Sequence, residues 1–151
     1  MTDPFANGDA LRVQALITDY VWKLDMADVD GVVALFTEDG VFEDTAGNEH
    51  HGHAGIRAYF AGLVARPEFR GRQHHIDNLR FIPEGEGLKV LSYWTVTKWF
   101  ADDNRKVFEV TGHSLDRFIR TPDGLRFTER RVHYWRAADC PWVPEGTAVQ
   151  P

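Results

Sequence analysis

The second half of the chain contains four β-rich runs, at about residues 73–82, 88–100, 107–119 and 125–135. The short separators between them, PEGEG, DDNR and TPDG, have the glycine, proline, asparagine and aspartate content of hairpin turns. Runs joined by such short turns pair as neighbouring antiparallel strands. The sequence therefore predicts an antiparallel meander over this half of the chain.

Helical periodicity precedes these strands in three segments. Apolar residues recur at spacings of three and four over 11–24, and Asn7 or Asp9 can cap that helix. A short helix is predicted from 28 or 30 to 36, and a longer one over 56–63. Between these two helices, TEDG is predicted as a turn, VFED as a short strand and TAGNEHHGHAG as a loop.

Helices followed by a meander of strands predict an α+β fold. We expect one long, curved antiparallel sheet wrapped on the N-terminal helices, with a conical pocket between them. A chain of 151 residues with 43% hydrophobic and 13% aromatic residues can bury one core but hardly two. Residues 1–138 are therefore predicted to form a single domain, and 139–151 a C-terminal tail.

The charge of the chain indicates a small ligand. The formal net charge is −6, and the lysines and arginines are scattered instead of forming a block. We therefore expect neither a nucleic-acid partner nor a membrane surface. The first residues, MTDPFANGDA, lack the basic start and apolar stretch of a secretory signal, and the single cysteine, Cys140, permits no internal disulfide. Cytoplasmic localisation is the resulting expectation.

Two polar positions far apart in the sequence indicate proton-transfer chemistry. Asp25 stands near the end of the first predicted helix, and His74 and His75 open the run HHIDNLRF. A carboxylate can fix the tautomer and orientation of an imidazole that acts as a base. At about 100° per residue, Asp25 lies about 40° from Val21 and off the centre of the apolar stripe, so it can face either a pocket or water.

The pattern alone leaves the choice between the two histidines open. Neighbouring side chains on a strand point to opposite faces of the sheet. His74 shares a face with Ile76 and Asn78. His75 shares the opposite face with the apolar Leu79, so either set can be the buried one.

A family resemblance adds to this interpretation. The runs YVWKLDMADVDGVVALFTEDGVF, GHAGIR, RQHHIDNL and PDGLRFTERR follow in this order and resemble the SnoaL-like branch of the nuclear transport factor 2-like superfamily. The resemblance implies a cystatin-like α+β barrel. Within the superfamily the chain is similar to scytalone dehydratase, bile-acid dehydratase and hexachlorocyclohexane dehydrochlorinase, in which an aspartate and a histidine form a catalytic dyad.

The resemblance implies four catalytic residues. The dyad positions match Asp25 and His74, which makes His74 the inward-facing histidine. Arg130 stands where the dehydrochlorinase and the bile-acid enzyme carry an arginine, with Arg131 as the register-shifted alternative; a guanidinium there can hold a carboxylate, a carbonyl oxygen or a leaving anion. Tyr20 stands where the dehydrochlorinase has a lysine, and a phenol without fixed charge favours loss of water or enolisation over chloride expulsion.

Two of these residues also have a purely structural interpretation. Tyr20 fits the apolar stripe of the first helix, where it would be a core tyrosine. Arg130 can instead be a surface residue that pairs across the sheet with an acid such as Asp116 or Glu109.

Other side chains are candidates for substrate contacts or for a metal. Asn78, Trp22, Thr97 and His113 are predicted to line the pocket, depending on strand register. The segment HHGH at 50–53 contains three histidines but no second ligand group at a recognised spacing, so no metal site is predicted. Nucleotide-binding and nucleophile motifs do not occur in the sequence, and no cofactor is expected.

These features predict a cofactor-independent lyase or isomerase of the dehydratase type, which acts on a small hydrophobic, cyclic substrate through the Asp25–His74 dyad. One alternative is a noncatalytic ligand-binding protein or structural subunit, since the fold also serves as an adaptor and as the β subunit of ring-hydroxylating dioxygenases. Another is an epoxide hydrolase, which needs an acid–arginine–acid arrangement; the pattern leaves the facing of Asp77 and Asp116 open. The aromatic run LSYWTVTKWF predicts a homodimer or homotrimer formed through the outer sheet face.

Overall fold

A computed structural model describes residues 8–140 and residue 142. The helices are α1 (Asp9–Asp25), α2 (Val29–Val33) and α3 (Gly52–Val64), and short 3₁₀ helices span Pro67–Phe69 and Ala137–Asp139. The strands are β1 (Phe36–Glu43), β2 (Glu49–His51), β3 (Arg72–Glu84), β4 (Gly87–Trp99), β5 (Lys106–Thr121) and β6 (Gly124–Tyr134). Asn7 and most of the predicted tail lie outside the described residues.

The six strands form one sheet in the order β2–β1–β6–β5–β4–β3. The four long strands pair antiparallel with their neighbours in sequence, as their short separators predict. β1 pairs in parallel with β6, on the edge of β6 that β5 leaves free. The sheet is curved and unclosed, with α1 against β3 and β6 and with α3 against β1. The predicted α+β class and cystatin-like architecture are confirmed.

The core lies between the helices and the inner face of the sheet. α1 buries the stripe that its periodicity predicts, namely Val13, Leu16, Ile17, Tyr20 and Leu24. Side chains of β4 alternate between the two faces of the sheet. Val90, Trp94 and Val96 point inward, whereas Tyr93 and Trp99 are exposed on the outer face. Within the described residues, no helix is both long and apolar enough to cross a bilayer.

The boundaries of the first half differ from the prediction in three places. α1 begins after Gly8, whose φ of 68° is left-handed, and no side chain among the described residues caps it. TEDG is not a turn but part of β1, which continues through a register shift between Phe36 and Val41. The predicted loop contains β2 and the start of α3. Phe36 and Val41, which flank TEDG, both pair with β6, and residues 37–40 lie in the register shift between them. The strand therefore continues across a turn-like segment because of contacts with a distant strand, which local sequence does not reveal.

Two irregularities in the sheet decide which side chains face the helices. In β3 the register shifts between Asp77 and Arg80, and Asn78 lies between them with a left-handed φ of 52°. The pairing of β5 with β6 also shifts, so that Phe127 and Arg130, three residues apart, are both buried on the inner face. A bulge of this kind reverses the alternation beyond it.

Gly112 on β5 marks a close contact between the strands and an aromatic ring. A Cβ there would lie 2.1 Å from the carbonyl oxygen of His133 and 2.2 Å from the ring of Trp94, whose indole nitrogen donates a 2.9 Å hydrogen bond to the backbone of His113. We expect Gly112→Ala to lower the free energy of unfolding by about 1–3 kcal/mol, because neither backbone nor ring can yield.

The control is Gly62 in α3, where an added Cβ meets nothing within 4 Å. Gly62→Ala is expected to raise the free energy of unfolding by about 0.5–1 kcal/mol through helix propensity. Urea unfolding measures both variants. Equal stability of the two variants would contradict the packing described at Gly112.

Candidate active site

A cavity of about 260 Å³ lies between the helices and the inner face of the sheet. Apolar side chains are slightly more than half of the wall residues, among them Phe42, Phe60, Leu63, Phe69, Trp94 and Val132. The polar and charged side chains in the wall include Tyr20, Arg66, Arg72, His74 and Arg130. A concave site that combines apolar side chains with convergent polar groups is typical of small-molecule binding.

His74 reaches the cavity wall from β3 and is held by Asp25, the last residue of α1. The Oδ2 atom of Asp25 accepts the backbone N–H of His74 at 2.9 Å, and Oδ1 lies 2.5 Å from the ring nitrogen Nδ1. The side chains of His74 and Asp25 are only 18% and 10% exposed. These contacts fix the ring and leave Nε2, which has no hydrogen-bond partner among the described residues, as the nitrogen able to accept a proton.

Arg130 lies on the inner face of β6, directly opposite Asp116 on β5. Its Nη1 donates to Oδ2 of Asp116 at 2.6 Å, and the two side chains are 2% and 0% exposed. The guanidinium carbon also lies 4.5 Å from the centroid of the Tyr20 ring, a cation–π contact. The predicted cross-strand pairing with Asp116 therefore exists, but inside the protein and beside the cavity.

Burial changes the ionisation of the groups around Arg130. It raises the pKa of Asp116 to about 6, against the lowering effect of the Arg130 charge. Burial also raises the pKa of Tyr20, again against the effect of Arg130. Tyr20 is therefore a neutral phenol at neutral pH and can donate a hydrogen bond.

Two of the predicted pocket residues lie outside the wall because of where helix and strand place them. Trp22 is on the exposed face of α1, two residues from Tyr20 and so on a different side of the helix. Asn78 is exposed in the β3 bulge, which breaks the alternation that would group it with His74. The prediction that these two residues line the pocket is wrong.

Thr97 and His113 also lie outside the wall, on the outer face of the sheet. Thr97 alternates with the inward Val96, and its hydroxyl lies 3.0 Å from Nε2 of His75. His113 packs against Trp135, with ring centroids 4.6 Å apart and the two rings tilted. Their assignment to the pocket is wrong because strand parity directs both outward. His75, the alternative to His74, is exposed on this face as well.

Arg131, the alternative to Arg130, points away from the cavity. It forms ion pairs with three glutamates, Glu43, Glu49 and Glu129. The bulge that places Arg130 inward turns its neighbour toward this acidic cluster.

The three histidines at 50–53 each have a different partner. His50 lies 3.0 Å from Asp44, His51 lies 3.1 Å from Glu49, and His53 lies 3.0 Å from a backbone carbonyl of β1. The three rings therefore do not converge on one point, and the contact of His50 with Asp44 helps to close the β1–β2 hairpin.

The acids needed by the epoxide hydrolase alternative do not flank the cavity. Asp116 faces inward but lies behind Arg130, and Asp77 is exposed on β3. Among the described residues, no carboxylate contributes to the cavity wall.

Sequence reasoning missed two arginines of the wall. Arg66 follows the last turn of α3, and Arg72 opens β3. Arg72 stands at the start of its strand, where strand periodicity does not predict which way a side chain points. The signal that could have found Arg66 is its spacing of three residues from Leu63 in the apolar stripe of α3.

Comparison with known proteins agrees with this architecture. Aln2 from a Streptomyces species is 20% identical over 89% of this chain and 94% of its own, with a TM-score of 0.79. ActVI-ORFA from Streptomyces coelicolor is 27% identical over 84% of this chain and 98% of its own, with a TM-score of 0.75. An NTF2-like protein with a cystatin-like fold from Novosphingobium aromaticivorans is 21% identical over 93% of this chain and 84% of its own, with a TM-score of 0.74. A family model described as the SnoaL-like domain matches residues 8–131, and the chain therefore belongs to the SnoaL-like domain family.

Proposed function

We propose that the protein is a cofactor-independent lyase or isomerase that removes a proton from a small hydrophobic, cyclic carbon acid. The observation that carries the proposal is the contact between Asp25 and His74 at the wall of a cavity with both apolar and polar side chains. The SnoaL-like family includes polyketide cyclases and dehydratases, which supports a small-molecule-binding enzyme fold. The reaction type rests on the side chains around the cavity.

In the proposed mechanism, neutral His74 accepts the proton at Nε2. Asp25 keeps the other proton on Nδ1 and stabilises the imidazolium that forms. In a dehydration, the imidazolium returns the proton to the departing hydroxyl group, which leaves as water; in an isomerisation, it returns the proton to a different carbon. A positioned base of this kind contributes about 10²- to 10⁴-fold to the rate.

Tyr20 and Arg130 are proposed to stabilise the charge that develops on the substrate oxygen. Tyr20 offers a neutral O–H, and Arg130 a positive charge that Asp116 balances from behind. Donors held in a water-poor site act more strongly than in water because they need not reorganise during the reaction.

The alternative function, a noncatalytic ligand-binding protein or structural subunit, makes a different use of the same fold. A structural subunit would be expected to fill the space beneath the sheet, whereas here a cavity of about 260 Å³ is bordered by His74 and Arg130. This observation favours a ligand, and the Asp25–His74 contact favours catalysis over binding alone.

The experiment uses 5-nitrobenzisoxazole, a carbon acid whose deprotonation breaks its N–O bond and yields the coloured 2-cyano-4-nitrophenolate. We expect the wild type to accelerate this elimination and His74→Ala to be at least about 10²-fold slower. The matched control is His75→Ala, which removes an imidazole from the outer face and should leave the rate unchanged. Equal rates for wild type and His74→Ala would contradict the proposal and favour a binding protein.

A further inference from the structure

The charges in the cavity wall are all of one sign. Three arginines, Arg66, Arg72 and Arg130, contribute to the wall, and no carboxylate of the described residues does. The whole chain has a net charge of −6, so a wall with only cations is not a consequence of composition. A cluster of one sign in a cleft with apolar walls raises the local concentration of ligands of the opposite sign.

Two of the three arginines are neutralised from behind the wall. Arg130 donates to Asp116 at 2.6 Å. Arg72 donates to both carboxylate oxygens of Glu109, at 2.7 and 3.1 Å. In these pairs the carboxylates balance much of the positive charge that the two guanidinium groups would otherwise present to a ligand.

Arg66 is different because it has no such partner. No hydrogen bond or ion pair joins its side chain to residues 8–140 or 142. It follows Tyr59 and Leu63 at helical spacing, and all three side chains contribute to the wall. Arg66 is itself exposed, so its charge lies where the cavity meets solvent.

We infer that the molecule bound in this cavity carries a carboxylate, which Arg66 binds at the mouth while the apolar body of the molecule lies inside near His74. A guanidinium matches a carboxylate in geometry and can bind it through two parallel hydrogen bonds. A charge at the mouth keeps part of its hydration, which avoids the large cost of burying an ion among apolar groups. The inference rests on the proposed function only in taking the bound molecule as the substrate.

The test is a calorimetric titration with two probes of nearly equal shape, 2-naphthoate and the neutral 2-naphthamide. We expect the wild type to bind the naphthoate more tightly than the amide, and Arg66→Gln to weaken naphthoate binding by about tenfold. Binding of the amide should change by less than about twofold. Added salt should weaken only the naphthoate complex, because exposed charges are screened.

Arg70→Gln is the matched control. Arg70 is exposed four residues further along, has no ion pair within the part of the chain that the structure describes, and does not belong to the cavity wall. Its loss removes the same charge and should leave naphthoate affinity within about twofold of wild type. Equal losses in Arg66→Gln and Arg70→Gln, no preference of wild type for naphthoate, or no naphthoate binding at all would each overturn the inference.

Binding and turnover fail separately in this design. Arg66-dependent naphthoate binding without His74-dependent elimination would overturn the proposed function and support the carboxylate inference. His74-dependent elimination without Arg66-dependent binding would support the proposed function and overturn the carboxylate inference.

Discussion

Asp25→Asn is expected to slow proton abstraction by about 10²- to 10⁴-fold without unfolding the protein. The aspartate accepts two hydrogen bonds from one histidine, through the backbone N–H and through Nδ1 of His74. An asparagine can accept only through its single oxygen and presents an NH₂ group to the other contact. When that NH₂ faces Nδ1, it favours the tautomer with the proton on Nε2, which cannot act as a base.

The control for this prediction is Asp19→Asn on the same helix. Asp19 pairs with Lys23 at 2.9 Å on the exposed side of α1, so its loss removes one carboxylate without touching the cavity. The readout is the elimination of 5-nitrobenzisoxazole, with circular dichroism as the check on folding. If Asp25→Asn stayed within about threefold of wild type while His74→Ala was inactive, the imidazole would be acting without its acid.

The second large effect concerns the buried pair of Arg130 and Asp116. We expect Arg130→Met to lower the free energy of unfolding by about 3–5 kcal/mol, because it leaves a fully buried carboxyl group without its partner. The double variant Arg130→Met, Asp116→Leu should recover most of that loss, since apolar residues of similar volume often replace a buried ion pair without cost. Urea unfolding at pH 7 compares the three proteins.

The pH dependence of stability provides a second readout of the same pair. The folded protein holds the Asp116 proton up to a pKa of about 6, whereas the ordinary value is 3.8. As pH rises from about 4 to about 6, the wild type should therefore lose stability relative to the double variant, which has no such proton to release. Above that range the difference in free energy of unfolding between the two proteins should stay constant. Identical stability of the single and double variants at pH 7 would contradict coupling between the two side chains.

The features that local chemistry controls were predictable from the sequence. Short hairpin separators determine the antiparallel pairing of β3 to β6, because connections of so few residues leave the chain no room for a crossover. The spacing of apolar residues in α1 likewise determines its buried face. Asp28 caps α2 by accepting the N–H of Gly31 at 2.9 Å, at one of the two starts that the sequence allows.

What the sequence did not reveal depends on contacts between distant segments. β1 pairs in parallel with β6 on both sides of TEDG, so this predicted turn becomes an irregular stretch inside a strand. The bulge around Asn78 places that residue in solvent, and the shift between β5 and β6 directs Arg130 inward. Bulges change strand parity by one residue, so a pattern with period two cannot predict the facing of residues beyond them.

In the candidate site, too, residue types were predictable from the sequence, whereas the facing of some side chains was not. Residue types and the family resemblance point to Asp25, His74, Tyr20 and Arg130, and the structure places the last three of these in one cavity wall with Asp25 behind His74. The pattern alone could not choose between the neighbouring histidines, because both faces of β3 carry apolar residues. Of the predicted substrate contacts, Thr97 and His113 face outward by strand parity, and Asn78 lies in the β3 bulge. Trp22 was wrong for a different reason, because it lies on the exposed face of α1.

¹⁵N NMR of the histidine side chains tests most directly whether Asp25 holds His74 with its Nε2 atom free to accept a proton. We predict that, in the neutral state of the ring, His74 carries its proton on Nδ1, that Nε2 has the chemical shift of an unprotonated nitrogen, and that Asp25→Asn abolishes this preference. A His74 ring with its proton on Nε2 in the wild type, or one whose tautomer is unchanged in Asp25→Asn, would contradict the account.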